Sequence, residues 1–150
     1  MLTWLSPLDF PVQQSDLISR RQEGTGEWIF ESDEFNTWLR GTDETLFCPG
    51  IPGAGKTILT SIVIAYLSKI THAQDIGVAY VFCAHRNRLE QTTICLLASL
   101  LKQLLQQQHV ISEELENLYK HHIQQSTFPT TTEISRVLEF EMSRYSKVFI

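Results

Sequence analysis

The stretch Gly50-Ile51-Pro52-Gly53-Ala54-Gly55-Lys56-Thr57 fits the pattern G-x-x-x-x-G-K-[ST] at every fixed position. Such a loop ordinarily sits between a strand and the start of a helix, so it restricts what the surrounding chain is expected to be. Its glycines let the backbone turn where other residues resist, and let amide N–H groups face an anion with no side chain in the way. The helix that follows adds unsatisfied N–H donors and about half a positive charge at its N-terminus. A polyphosphate needs all of these. Gly50, Gly53, Ala54, Gly55, Lys56, Thr57 and Ile58 are therefore the candidate nucleotide-binding residues. Lys56 is the candidate catalytic residue, a mobile point charge for the β- and γ-phosphates. The Thr57 hydroxyl is the candidate ligand for a Mg²⁺ that bridges the same phosphates. The cofactors expected are ATP, or GTP, and Mg²⁺. No NKxD sequence is present, so nothing favours guanine.

The flanks suit the loop. Thr45-Leu46-Phe47-Cys48 reads as a short strand leading in, with Cys48 as a small buried residue. Leu59, Ile62, Val63, Tyr66, Leu67 and Ile70 recur at helical spacing after it. Ile76–Cys83 is a nearly continuous apolar run, suited to a strand covered on both faces. Ile94, Leu97, Ala98, Leu101, Leu104 and Leu105 mark an amphipathic helix, and weaker helical patterns cover Ser112–His122 and Glu133–Tyr145. Lys147-Val148-Phe149-Ile150 opens a further strand. Upstream, Ser32 can cap a short helix with Asp33 and Glu34 in its first turn, and Gly41 can end it. Arg20–Gly26 reads as an exposed, turning segment. Strand, helix, strand, helices, strand implies a parallel α/β sheet. The expected fold is α/β, a three-layer α/β/α P-loop NTPase with a parallel sheet, truncated before the Walker B acid. Residues 1–30 form a lead-in and 31–150 the incomplete nucleotide-binding domain. Ending inside an apolar run, the chain reads as a fragment of a longer protein.

Composition narrows the partners. The chain has 150 residues, 43% of them apolar and 19% charged, enough for one domain with a real core. Its formal net charge of −5 argues against a general grip on nucleic acid, which needs clustered Lys and Arg. No apolar window approaches the length of a membrane span, and the N-terminus has no secretory signal. Cys48, Cys83 and Cys95 form no ligand spacing and read as buried thiols in a reducing compartment, so a cytoplasmic location is expected.

Trp4-Leu5-Ser6-Pro7-Leu8, Arg20–Trp28 with its Gly24-Thr25-Gly26-Glu27-Trp28, Glu34-Phe35-x-x-Trp38-Leu39 and Cys48–Thr57 together resemble the start of a NACHT-type domain of fungal NOD-like receptors. This is the version labelled nephrocystin-like N-terminal domain, and Phe82-Cys83 with the Leu-rich helix is similar to it too. The resemblance implies an ATP- or GTP-binding switch of the STAND class that exchanges nucleotide and self-associates through its full-length NTPase domain. In related NTPases the segment before the loop lies against the base. Trp28 then packs on a base face and Thr25 bonds a base edge; the alternative is a turn followed by a core Trp. The resemblance also implies a strand, encoded later, between 45–48 and 147–150, so an exposed sheet edge is expected. The Walker B acid of that family is absent, which leaves hydrolysis open. Two other readings stand beside the switch. A small metabolic P-loop kinase would need an Arg-rich lid, but the seven arginines are dispersed. A non-catalytic truncated remnant would keep an intact loop on an incomplete fold.

Overall fold

The computed structural model describes residues 2–71, 75–108 and 110–150. Among them lie seven α-helices and two short strands. In chain order they are α1 (Leu2–Leu5), α2 (Phe10–Ser19), α3 (Asp33–Arg40), α4 (Lys56–Thr71), β1 (Ile76–Val78), α5 (Thr93–Gln107), α6 (Glu113–Gln125), α7 (Thr131–Ser143) and β2 (Lys147–Phe149). None of these helices is long and apolar enough to cross a membrane.

The chain forms two compact units that are interleaved in sequence. Pro11–Ile70 makes one; the residues up to 10 together with those from 71 onward make the other. In the second of these, α5 packs along α7, and Leu101, Leu104, Leu115, Ile134 and Val137 are its most deeply buried apolar side chains. Local chemistry explains why these helices start where they do. Thr92, Ser112 and Thr130 each accept a hydrogen bond from the backbone N–H three residues on. At Thr130 the bond is reciprocal, because the Glu133 carboxylate accepts the Thr130 N–H at 2.8 Å, a capping box. An N-terminal strap lies over α5 in the same unit. Ser6 Oγ donates to Cys95 O at 3.2 Å, Lys102 Nζ donates to Ser6 O and Leu8 O, and the Trp4 ring meets Tyr119 edge-on at 5.2 Å.

The expected three-layer α/β/α sheet does not form. β1 and β2 pair in parallel, Gly77 opposite Val148, and they are the whole sheet among the described residues. The expected strand at Thr45–Cys48 is irregular backbone, and Phe47 within it is 81% exposed. The physical reason is the ladder. A strand exists only where a neighbour takes its N–H and C=O groups, and Pro11–Ile70 contains no other strand to do so. The second expected strand is shorter than its apolar run. Only Ile76–Val78 pairs with β2, with Ala79 N–H donating to Phe149 O at 2.9 Å, because β2 itself spans only Lys147–Phe149; on the edge facing away from β2, glutamine side chains take backbone groups from Val78 onward. The cysteines differ from expectation as well: Cys48 and Cys83 are exposed and Cys95 is half-buried. The helices expected at 94–105, 112–122 and 133–145 all form, within a few residues of those limits.

Candidate functional site

The Pro11–Ile70 unit is built around α4. Ser32 caps α3, accepting from Phe35 N–H at 3.3 Å, and Gly41 N–H closes it on Thr37 O at 2.8 Å. Phe35, wholly buried, meets Phe30 and Tyr66 edge-on, and Phe30 stacks on Tyr66 of α4 at 4.4 Å. A short 3₁₀ turn, Glu27–Glu31, precedes α3 and turns Ile29 inward. Gly26, just before it, has φ +77° and is buried against α4: a Cβ there would lie 2.7 Å from Ile62 Cδ1. So Arg20–Gly26 is not all exposed turn; its last glycine clamps the lead-in onto the helix that carries the loop.

At the N-terminus of α4 the loop is curled, exposed and joined directly to the helix. Gly53 and Gly55 both have φ near +84°, at +84° and +83°, a conformation that a Cβ-bearing residue adopts only with strain. A Cβ built on either would meet no atom within 4 Å. Packing therefore does not require glycine at these two positions. Their backbone sign does, and the space beside them is open to a ligand. The curl is closed by Ala54 N–H donating to Ile51 O at 3.2 Å, and Gly50 lies 3.3 Å, as an added Cβ, from that of Ala54. The first helical hydrogen bond is Leu59 N–H to Gly55 O at 2.9 Å. The amides of Lys56, Thr57 and Ile58 thus belong to the first turn, where no helical acceptor exists for them. Lys56 folds back over the loop: its Nζ donates to Gly50 O at 2.7 Å and Ile51 O at 2.9 Å. The ammonium sits on the loop's own carbonyls, within a side chain's swing of any anion seated on the amides. Thr57 is exposed in the same turn, its hydroxyl an oxygen donor of the kind Mg²⁺ takes.

A cleft of about 400 Å³ opens beside the loop. Trp28, Phe47, Ala54 and Lys56 line it, with Glu34 contributing a carboxylate. Trp28 is 64% exposed, so it is not the core residue of the alternative reading. Thr25 lies on the exposed turn outside the cleft, its carbonyl accepting from Arg21 Nε at 3.0 Å. The structure therefore brings Trp28 to the Lys56 side of the unit and leaves Thr25 out. Phe47 and Glu34 were not singled out from sequence. Phe47 sat in an expected strand and Glu34 in a helix first turn, and neither position carries a pattern that marks a cleft.

Among known proteins, the family described as "Nephrocystin 3, N-terminal" matches residues 24–150, the loop and both strands included. No curated protein and no solved structure matches the chain.

Proposed function

The chain belongs to the nephrocystin 3 N-terminal family, and from that premise we propose that its Gly50–Thr57 loop binds the phosphates of a purine nucleoside triphosphate. The observation that carries the reading is the pair of left-handed glycines, Gly53 and Gly55, beside open space at the start of a 16-residue helix. Amides of residues 53–58 would face the phosphate oxygens, with the helix N-terminus adding positive potential. Lys56 would exchange two carbonyl acceptors for charged phosphate oxygens, a stronger partner for an ammonium. Thr57 would hold Mg²⁺, which neutralises the β- and γ-phosphates and fixes their geometry. Trp28 would cover the base from the cleft wall. The reading is of binding; turnover needs an acid placed on Mg²⁺ and water, and no Asp in the sequence follows a four-residue apolar run.

The wider proposal follows the resemblance: a NACHT-type P-loop module of the STAND class, like those of fungal NOD-like receptors, cytoplasmic and self-associating when nucleotide is bound. Nucleotide is its proposed ligand; nucleic acid and membrane are not. Titration calorimetry with MgATP, MgGTP and their diphosphates tests the core of it on the full chain. Lys56→Ala should weaken triphosphate binding at least tenfold, since a hydrogen bond to a charged group contributes about 1.5–3 kcal/mol. Thr57→Ala should weaken binding only when Mg²⁺ is present. Equal binding by wild type and Lys56→Ala, or no binding by wild type, overturns the proposal.

A further inference from the structure

The segment after β1 runs on extended, with β2 gone from its side after Ala79. Alternate residues point their backbone groups away from β2, and along that outer edge glutamine amides meet them. Gln107 Oε1 accepts Val78 N–H at 3.0 Å and its Nε2 donates to Val78 O at 2.7 Å. Gln103 does the same for Tyr80, at 3.2 Å and 2.8 Å. Gln91 accepts Ala84 N–H at 2.9 Å and donates to Phe82 O at 2.8 Å. A primary amide carries one acceptor and two donors, so it can imitate the peptide group of a neighbouring strand.

The match has a geometric basis. Gln103 and Gln107 are four residues apart on α5, about 6.0 Å of rise, while Val78 and Tyr80 are two apart on extended chain, about 6.6 Å. The helix therefore presents amides at the strand's own repeat. Each amide's second N–H goes to α5 itself: Gln103 Nε2 to Ser99 O at 3.3 Å and Gln107 Nε2 to Gln103 O at 2.9 Å. One turn earlier the helix offers Ser99, too short to reach, and the task passes to Gln91 in the loop before α5.

We propose that Gln91, Gln103 and Gln107 are an edge lock: they occupy the outer backbone edge of residues 78–84 and turn away any further strand, above all that of a second copy of this chain. An unprotected edge with this sequence would invite such pairing, because Val78-Ala79-Tyr80-Val81-Phe82 is apolar, β-prone and uncharged. The lock makes the sheet one-sided: pairing on the outer edge of residues 78–84 is closed.

Hydrogen exchange and association of the whole chain test this. In wild type, the Val78 and Tyr80 amides should exchange as slowly as that of Ala79, which β2 protects. In Gln103→Leu/Gln107→Leu, protection at Val78 and Tyr80 should fall about tenfold per amide, the value of one hydrogen bond. Sedimentation without nucleotide should then show dimers and larger species where wild type stays monomeric. Adding Tyr80→Pro, which removes an edge donor, should restore the monomer; an unfolded chain would gain nothing from it. Wild-type amides at Val78 and Tyr80 exchanging like those of an open loop would overturn the lock. So would a folded Leu/Leu variant that stays monomeric, or one whose association ignores the proline. If the Leu/Leu variant does not fold, the wild-type exchange rates alone decide.

Discussion

Replacing Gly26 by Ala should loosen the α4 helix that carries the loop, by an amount the geometry fixes. Its φ of +77° costs a residue with a Cβ about 1–2 kcal/mol. The new methyl would also stand 2.7 Å from Ile62 Cδ1 and 3.2 Å from Leu59 Cδ1. Both are ends of flexible side chains, so the overpacking falls at the low end of its range, about 1 kcal/mol. A stiffer unfolded chain offsets about 0.4–1 kcal/mol of this. The net loss is about 2 kcal/mol. Gly24 is the internal control. It has the same backbone sign, φ +78°, but an added Cβ there meets nothing within 4 Å. Gly24→Ala should therefore lose about 1 kcal/mol or less by the strain and chain-stiffness terms alone. Urea unfolding followed by far-UV circular dichroism reads both, and thermal melts should drop by about 4–8 °C for Gly26→Ala against at most about 4 °C for Gly24→Ala. Equal losses would refute the argument that Gly26 is held by contact with α4 as well as by its turn.

Two further outcomes follow from the other unit. The Glu141 carboxylate is wholly buried and bonded to Arg144 Nη1 at 2.8 Å and to the Ser112 hydroxyl; Arg144→Ala strands that charge and should cost about 3 kcal/mol in urea unfolding, while Arg144→Ala with Glu141→Met should recover most of it. The Glu133 carboxyl is held below its ordinary value of 4.5, first by the Thr130 backbone N–H, then by the Thr130 hydroxyl, with His122 also favouring the charged form. A group lowered on folding stabilises fully above its ordinary value and stops doing so as pH falls through its folded one. Melting temperature measured from roughly pH 6 down to pH 3 should therefore fall more steeply in wild type than in Glu133→Gln, and parallel curves would remove Glu133 from the acid response.

The helices from α3 onward were legible because their signals are local, whereas α1 and α2 fall in the lead-in, where no helix is expected from the sequence. Ser32, Thr92, Ser112 and Thr130 lie within three residues of the amides they cap, and the apolar spacing of α5 and α7 reports the face they bury. The loop's curl at the start of α4 was legible for the same reason, since eight consecutive residues fit its pattern. Strands were not. Whether Thr45–Cys48 pairs depends on a neighbour elsewhere, and an apolar alternation says nothing about whether that neighbour is there. The run Ile76–Cys83 was read as strand throughout, yet from Val78 on its outer partners are the side chains of Gln91, Gln103 and Gln107, which look in sequence like any polar helix surface. At the cleft, the resemblance to related NTPases pointed to Trp28, while its exposure is set by a 3₁₀ turn that places Ile29, not Trp28, inside.

The strap of residues 2–10 has a consequence for a chain leaving the ribosome. Its bonds to α5 join residues 89 to 96 positions apart. At about 5–20 residues per second, Leu2, Trp4 and Leu5 emerge several seconds before the α5 they pack against exists. Pro11–Ile70, by contrast, has every internal partner as soon as residue 70 is out. Residues 2–10 thus dock long after they are made, and for that interval they are a sticky apolar segment that a chaperone can hold.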